Sequence, residues 1–328
     1  MEFRPIPREP DAFQQSVTAE VIQAMCRRAC GSTVQVTSAV ELGGDMYNTT
    51  YRTNANSLDA PVVLRITPAP ERQFVSEHEL MRNEYATVPY LAPIADLIPR
   101  VLFADWSQDI TGRDWIVQSH LDGAPAPDRL GGYPSTLWPG CFAQLGTIAK
   151  DVHAVQGPHF GHVTGPGCHP TWSAAVVASL SAIADDVSSV GLDAADVRKV
   201  VDLALEHRKV LDEITEPRLL TGDLWTVNTM LAAAPTPVIS GVLDLDRTLF
   251  GDPAADWTIR MASAKQDERT AFWDTYGPRA ATSADAWRAL VYEARHLGAI
   301  RLERHRLHNT DGVHSTYNSM ATVLRQLT

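Results

Sequence analysis

The sequence predicts an α+β protein of two lobes, a small N-terminal lobe built on an antiparallel sheet and a larger, mainly helical C-terminal lobe. Three observations carry this expectation. The chain has 328 residues, against roughly 100 to 200 per domain, so two packed bodies are expected. Its first third shows short alternating apolar runs, whereas the remainder shows apolar residues at helical spacing. Between the two lies LDGAPAPDRLGGYPS, dense in Gly and Pro, which marks a boundary. The first lobe is set at residues 1–119, with a hinge at about 118–123, and the second at 124–328.

After a polar start, Ala19 to Ala29 has the apolar spacing of a helix, and the pattern changes at Gly31-Ser32. VQVTSAVEL, TYRTN, PVVLRI, RVLFAD and DWIVQSH follow. Each is rich in β-branched or aromatic residues and bounded by Gly, Asn, Asp or Pro, as strands are. Glu77 to Leu91 is expected as a helix between the third and fourth strands. Past the boundary, CFAQLGTIAKDVHAV, WSAAVVASLSAIADDV, DVRKVVDLALEHRKVLDEI and the segment from Trp287 to Leu307 have amphipathic helical patterning. Only LLTGDLWTVNTMLAAAPTPVISGVLDLDRTLFGD interrupts them, with strand–loop–strand character.

Composition narrows the function. Hydrophobic residues make up 45% and charged residues 20%, enough apolar side chain for a sizeable core. With 39 acidic against 28 basic residues the net charge is -11, which repels a polyphosphate backbone, so no nucleic-acid partner is expected. Cys26, Cys30, Cys141 and Cys168 are scattered and lack zinc spacings, which suits a reducing compartment. The start MEFRPIPREP has no apolar signal core, and no run of about 18 apolar residues occurs. A cytoplasmic protein with no membrane partner is expected.

The chemistry concentrates in the interrupting segment. Asp223 is followed five residues later by Asn228, and Asp244 and Asp246 end the apolar run VISGVLDLD. An Asp and an Asn in one loop, with another Asp ending the next strand, can converge on one divalent cation and one hydroxyl. Hard oxygen donors suit magnesium, which is usually held by one or two protein oxygens plus substrate phosphates. Phosphoryl transfer asks little more of a protein than a positioned base, metal charge and a clamp on the phosphates.

G-D-L-W-T-V-N at 222–228 and L-D-L-D-R at 243–247 resemble the catalytic and metal loops of the aminoglycoside phosphotransferases, whose relatives include choline, fructosamine and macrolide kinases. The resemblance runs roughly from Val36 to Arg260 and implies a bilobal protein-kinase-like fold. It implies that Asp223 accepts the acceptor's hydroxyl proton and that Asn228 and Asp244 bind Mg2+. Asp246 either assists the metal or hydrogen-bonds nearby, and Arg247 either neutralises phosphate or pairs with an Asp. In G-D-P-A-A-D-W at 251–257, Asp256 is expected to support the catalytic loop, whereas Asp252 suits a helix cap. The family usually has His two residues before the catalytic Asp. Here Thr221 stands there, at a scaffold position. His153, on an apolar helix face, is expected to satisfy core hydrogen bonds. D-F-G and A-P-E elements are absent, which disfavours a protein substrate.

The first lobe is then expected to hold the nucleotide, ATP or GTP. LGGDMYNTTYR, with Gly43, Gly44 and Asn48, suits a hairpin whose backbone amides approach phosphates closely. Arg65 of PVVLRI stands where kinase-like proteins carry the basic residue for the phosphates, and its planar fork suits that task. Glu84 is the expected orienting carboxylate, with Glu77 and Glu79 as rivals. The strand through Gln118 and His120 resembles the family's hinge, which faces the nucleobase with backbone groups. The expected function is transfer of the γ-phosphate of a nucleoside triphosphate to a small hydroxylated acceptor. The acceptor read as an antibiotic of aminoglycoside, macrolide, peptide or nucleoside type makes this a resistance enzyme. A metabolic kinase for choline, a sugar or an amino alcohol, and a non-catalytic nucleotide-binding module, are the alternatives.

Overall fold

The protein is described from a computed structural model, which covers residues 1–44, 46–256, 266–278 and 281–328. The chain divides into two compact units, Met1–Gln73 with Ile98–Asp122, and Phe74–Leu97 with Gly123–Thr328.

The first unit is a six-stranded sheet with one helix. Its strands are β1 (Glu2–Arg4), β2 (Val36–Leu42), β3 (Thr49–Ala55), β4 (Val62–Ile66), β5 (Val101–Asp105) and β6 (Trp115–Ser119), in the order β1-β2-β3-β4-β6-β5. All neighbours are antiparallel except β1, which runs parallel to β2. This first strand lies within the stretch read from sequence as a polar start; three residues are too few to show an alternation. Helix α1 (Ala19–Cys30) begins where the Thr18 side chain accepts the amide of Val21, and it ends at Gly31, whose φ of 113° suits only glycine. Its Ile22, Met25 and Cys26 pack with Tyr51, Leu64, Ile66, Trp115 and Val117 of the sheet. Burial, and then the neighbouring Cys30, pushes the Cys26 thiol up to about 12, so this cysteine is an inert packing group.

The second unit is mainly helical. It contains α2 (Leu80–Thr87), α3 (Trp138–His153), α4 (Trp172–Ser189), α5 (Ala195–Glu206), α6 (Gln266–Tyr276), α7 (Ser283–Arg306) and α8 (Thr310–Leu327). The helix expected over Glu77 to Leu91 is shorter and divided. Glu79 sits at a φ of 63°, just before α2, and the chain from Val88 to Leu97 winds as two 3-10 pieces broken at Ile94. Pro89 and Pro93 explain the change, since neither donates a backbone hydrogen bond. This segment belongs to the second unit, although the sequence placed it in the first lobe. Asn83 ties it there by donating to the carbonyls of Asp246 (3.0 Å) and Thr248 (2.7 Å) and accepting from the amide of Val163 (2.9 Å).

The main core joins Trp172, Leu180 and Ile183 of α4, Val197 and Val200 of α5, Val291 and Tyr292 of α7 and Met320 of α8. Close helix approach depends on glycine at one further pair. A Cβ on Gly146 of α3 would stand 2.4 Å from the carbonyl oxygen of Phe272 on α6. Seven short strands complete the unit: β7 (Ala124–Pro125), β8 (Phe160–Gly161), β9 (Cys168–His169), β10 (Arg218–Leu220), β11 (Thr229–Leu231), β12 (Ile239–Val242) and β13 (Leu249–Gly251). They form two sheets, β10-β13-β8-β9 and β12-β11-β7, whose connections carry the motif residues. Among the described residues no helix is long and apolar enough to cross a membrane.

Candidate active site

In the second unit, the loop from β10 to β11 carries Thr221, Gly222, Asp223 and Asn228. Gly222 has a φ of 76°, and a Cβ there would lie 2.4 Å from the carbonyl oxygen of Arg247. Only glycine lets these two loops touch. The turn aims the amides of Thr221 and Gly222 at one carboxylate, that of Asp256, which is 5% exposed. Asp256 Oδ2 accepts from Thr221 N (2.7 Å), Thr221 Oγ1 (2.8 Å) and His153 Nε2 (2.8 Å), and Oδ1 accepts from Gly222 N (3.0 Å). Four donors fill the carboxylate's capacity. His153 is held at its other nitrogen by the Tyr276 hydroxyl, Nδ1 to Oη 3.0 Å. Thr221 contributes its hydroxyl and its amide to one partner from a fully buried position.

Asp223 is fixed from within its own loop. Asn228 Nδ2 donates to the Asp223 carbonyl oxygen (2.9 Å) and to Asp223 Oδ2 (3.0 Å), so the amide oxygen of Asn228 is left out of that clamp. The Asn228 carbonyl accepts the amide of Leu243 (2.9 Å), which joins this loop to the end of β12. One residue on, Asp244 adopts a φ of 59°, a left-handed conformation that Asp tolerates better than most residues and that concentrates at functional turns. Asp246 is buried and lies beside Arg247, whose side chain is 42% exposed and reaches Glu77 at 3.9 Å. Burial opposes the charge of Arg247, but Asp246, Glu77, Asp244 and Asp223 outweigh it and raise its pKa. Five charged side chains, four of them carboxylates, therefore share one locality in this unit. The two readings left open for Arg247 thus lean to carboxylate pairing. Asp252 accepts from the Tyr292 hydroxyl (2.7 Å) and from the amide of Ala254 (3.0 Å), the second bond being that of a cap.

Among the described residues no group of three His, Cys, Asp or Glu side chains could hold a metal by itself. A site of one carboxylate, one amide oxygen and substrate phosphates needs no such group.

The first unit carries the other candidates. Gly43 and Gly44 form the turn between β2 and β3, Gly44 with a φ of 97° and nothing within 4 Å of the position a Cβ would take. Asn48 closes the turn and is buried, as is Arg65 on β4, which pairs across the sheet with Thr50 and Ile116. Gln118 is buried on β6, opposite Val63 and Val101. His120 follows it, its pKa lowered by burial and by Arg52 against the opposing pull of Asp122. Glu84 lies on α2 of the second unit and is buried, and Glu77 is bound there by Arg306. Residues 257–265, which include Trp257 at the end of the motif at 251–257, lie outside the described residues.

Two contributors escaped the sequence reading. Asn83, next to Glu84, has no motif signal, and its three bonds join segments far apart in sequence. Tyr276 is likewise visible only once α6 is packed beside α3.

The second unit thus carries a carboxylate-rich loop pair held by a buried Asp–His–Thr cluster. The family model described as "Phosphotransferase enzyme family" matches residues 38–290, and the chain belongs to that family. No curated protein matches. Among solved structures, aminoglycoside phosphotransferase APH(4)-Ia is similar at a TM-score of 0.65 and 16% identity, covering 94% of this chain and 99% of that one. A thermostable mutant of the same enzyme, in a ternary complex with AMP-PNP and hygromycin B, matches at 0.64 and 18%, over 93% and 98%. The GDP and kanamycin complex of APH(2")-IIia matches at 0.62 and 15%, over 93% and 98%. At these identities the likeness shows the fold, which is the bilobal kinase-like fold expected from the motifs.

Proposed function

We propose that this phosphotransferase moves the γ-phosphate of ATP or GTP to a hydroxyl of a small natural product, an antibiotic of aminoglycoside, macrolide, peptide or nucleoside type, in the cytoplasm. The observation that carries the mechanism is the clamp of Asn228 on Asp223. It fixes the Asp223 carboxylate in one orientation, as a general base requires. The residues also suit Mg2+: with its amide nitrogen spent on Asp223, Asn228 presents its oxygen, and Asp244 adds a hard carboxylate in a fixed left-handed turn. When bound, the ion neutralises charge on the phosphates. Asp256, through Thr221 and Gly222, holds the catalytic loop in register, and Asp246 with Arg247 sets the local field. The amides at Gly43, Gly44 and Asn48, together with Arg65, serve the nucleotide phosphates. The strand through Gln118 and His120 meets the base with its backbone.

The antibiotic reading rests on the solved neighbours, whose complexes contain hygromycin B and kanamycin. It is tested by incubating the protein and magnesium with ATP or GTP and a panel of hydroxylated antibiotics, choline and simple sugars. Phosphorylated antibiotic, read by mass spectrometry, is the expected result. Phosphorylation of choline or a sugar with every antibiotic untouched would overturn the acceptor class and leave the kinase mechanism standing.

A further inference from the structure

The N-terminal segment before α1 is bound to both sides of one turn. On the incoming side stands Glu41 of β2, two residues before Gly43, with a fully buried side chain. Its Oε2 accepts the amide of Ile6 (2.9 Å) and the Ser16 hydroxyl (2.8 Å), and its Oε1 pairs with Arg8. Arg8 in turn reaches Ser16 Oγ (3.1 Å) and Gln14 Oε1 (3.3 Å). On the outgoing side, Gln14 Nε2 donates to the carbonyl of Asn48 (2.6 Å), and the Thr49 hydroxyl donates to the carbonyl of Gln15 (3.2 Å). Between them the ring of Phe13 packs on that of Tyr47 with centroids 5.5 Å apart. The amide of Val17 finally donates to the Tyr51 hydroxyl (3.1 Å), in the core of the sheet.

A turn with two glycines is otherwise loose, and ordering it on ligand binding would cost conformational entropy. Bonds that hold its two stems from outside remove that freedom beforehand. The segment is also tethered away from the turn. Arg72 Nη1 donates to the carbonyls of Asp11 (2.9 Å) and Ala12 (2.6 Å), and Arg113 Nη1 donates to that of Gln15 (3.0 Å).

We propose that residues 5–18 form part of the nucleotide site: a strap whose Arg8, Gln14 and Ser16, gripping Glu41 and the carbonyl of Asn48, are positioning residues for the Gly43-Gly44 turn. The strap touches no substrate itself. It holds the turn's amides ready for the phosphates of a nucleoside triphosphate, and this role rests on the nucleotide reading of the turn given above.

The test measures the affinity of the full chain for Mg-AMP-PNP by calorimetry, beside its melting temperature. Glu41→Gln, which removes the buried charge at constant size, is expected to weaken binding by about tenfold. Gln14→Ala, which frees the outgoing stem, is expected to weaken it by about threefold. Ile22→Val, which loosens the core of the same unit without touching the strap, lowers the melting temperature and leaves affinity unchanged. Glu41→Gln and Gln14→Ala that melt lower yet bind Mg-AMP-PNP as the parent does would overturn the proposal, since the strap would then only support the fold. A parent protein that binds no Mg-AMP-PNP at all would remove the nucleotide reading, and this inference with it.

Discussion

At Asp256, one carboxylate accepts from two amides, a hydroxyl and an imidazole, and this holds the conformation of the loop from Thr221 to Asn228. That arrangement explains how threonine serves at position 221. The backbone amides provide two of the four donors whatever side chain follows, and His153 approaches the same carboxylate from α3. The neighbouring Asp244 is a different kind of residue. Its backbone is left-handed, with a φ of 59°, and such strain is typical of groups placed for a ligand. Asp244→Ala should therefore lower both turnover and the magnesium dependence of nucleotide binding, because a metal ligand acts on both. A magnesium titration of nucleotide affinity checks this, and an unchanged titration would remove Asp244 from the metal site.

Among elements, strands β2 to β6 of the first unit and helices α3, α4, α5 and α7 of the second were legible because their apolar spacing is regular over five residues or more, whereas α8 was not read from the sequence. The structure moves most of their ends by only one to four residues. The segment 75–97 was not legible. Its apolar residues recur at helical spacing, but Pro89, Pro93 and the left-handed Glu79 divide it, and Asn83 binds it to loops some 80 and 163 to 165 residues distant. Asp223, Asn228 and Asp244 stand out in the sequence by motif order alone, whereas the strap does not, since Glu41, Gln14 and Ser16 look like ordinary surface residues until β2 and β3 are paired. Helix α7 carries a feature with a pH consequence. Burial, with Arg295, Arg304 and Arg247, lowers His296 to about 4, and burial, with Arg295 and His169, lowers His162 to about 4. Both histidines are neutral in the folded protein at pH 6, whereas in the unfolded chain they begin to protonate near 6.5. The unfolded state then binds more protons, so stability is full above about pH 6.5 and falls as pH drops towards 4. Thermal melts across that window should show the slope, and His296→Gln should flatten it; an unaltered slope would contradict the assignment.

Over the whole molecule, an acidic chain with a net charge of -11 presents, in its second unit, four carboxylates around one arginine, with Asp223 clamped by its own loop. In the function proposed above, this arrangement manages charge on phosphates by metal and field, with a single proton to move. The central claim is that Asp223 moves that proton. It is tested most directly by comparing parent and Asp223→Asn in magnesium and ATP with an acceptor the parent phosphorylates, measuring turnover beside the affinity for Mg-AMP-PNP. The account predicts that turnover falls by at least about a hundredfold, with nucleotide affinity and melting temperature close to those of the parent. An Asp223→Asn protein that phosphorylates the acceptor at near-parent rate would contradict it.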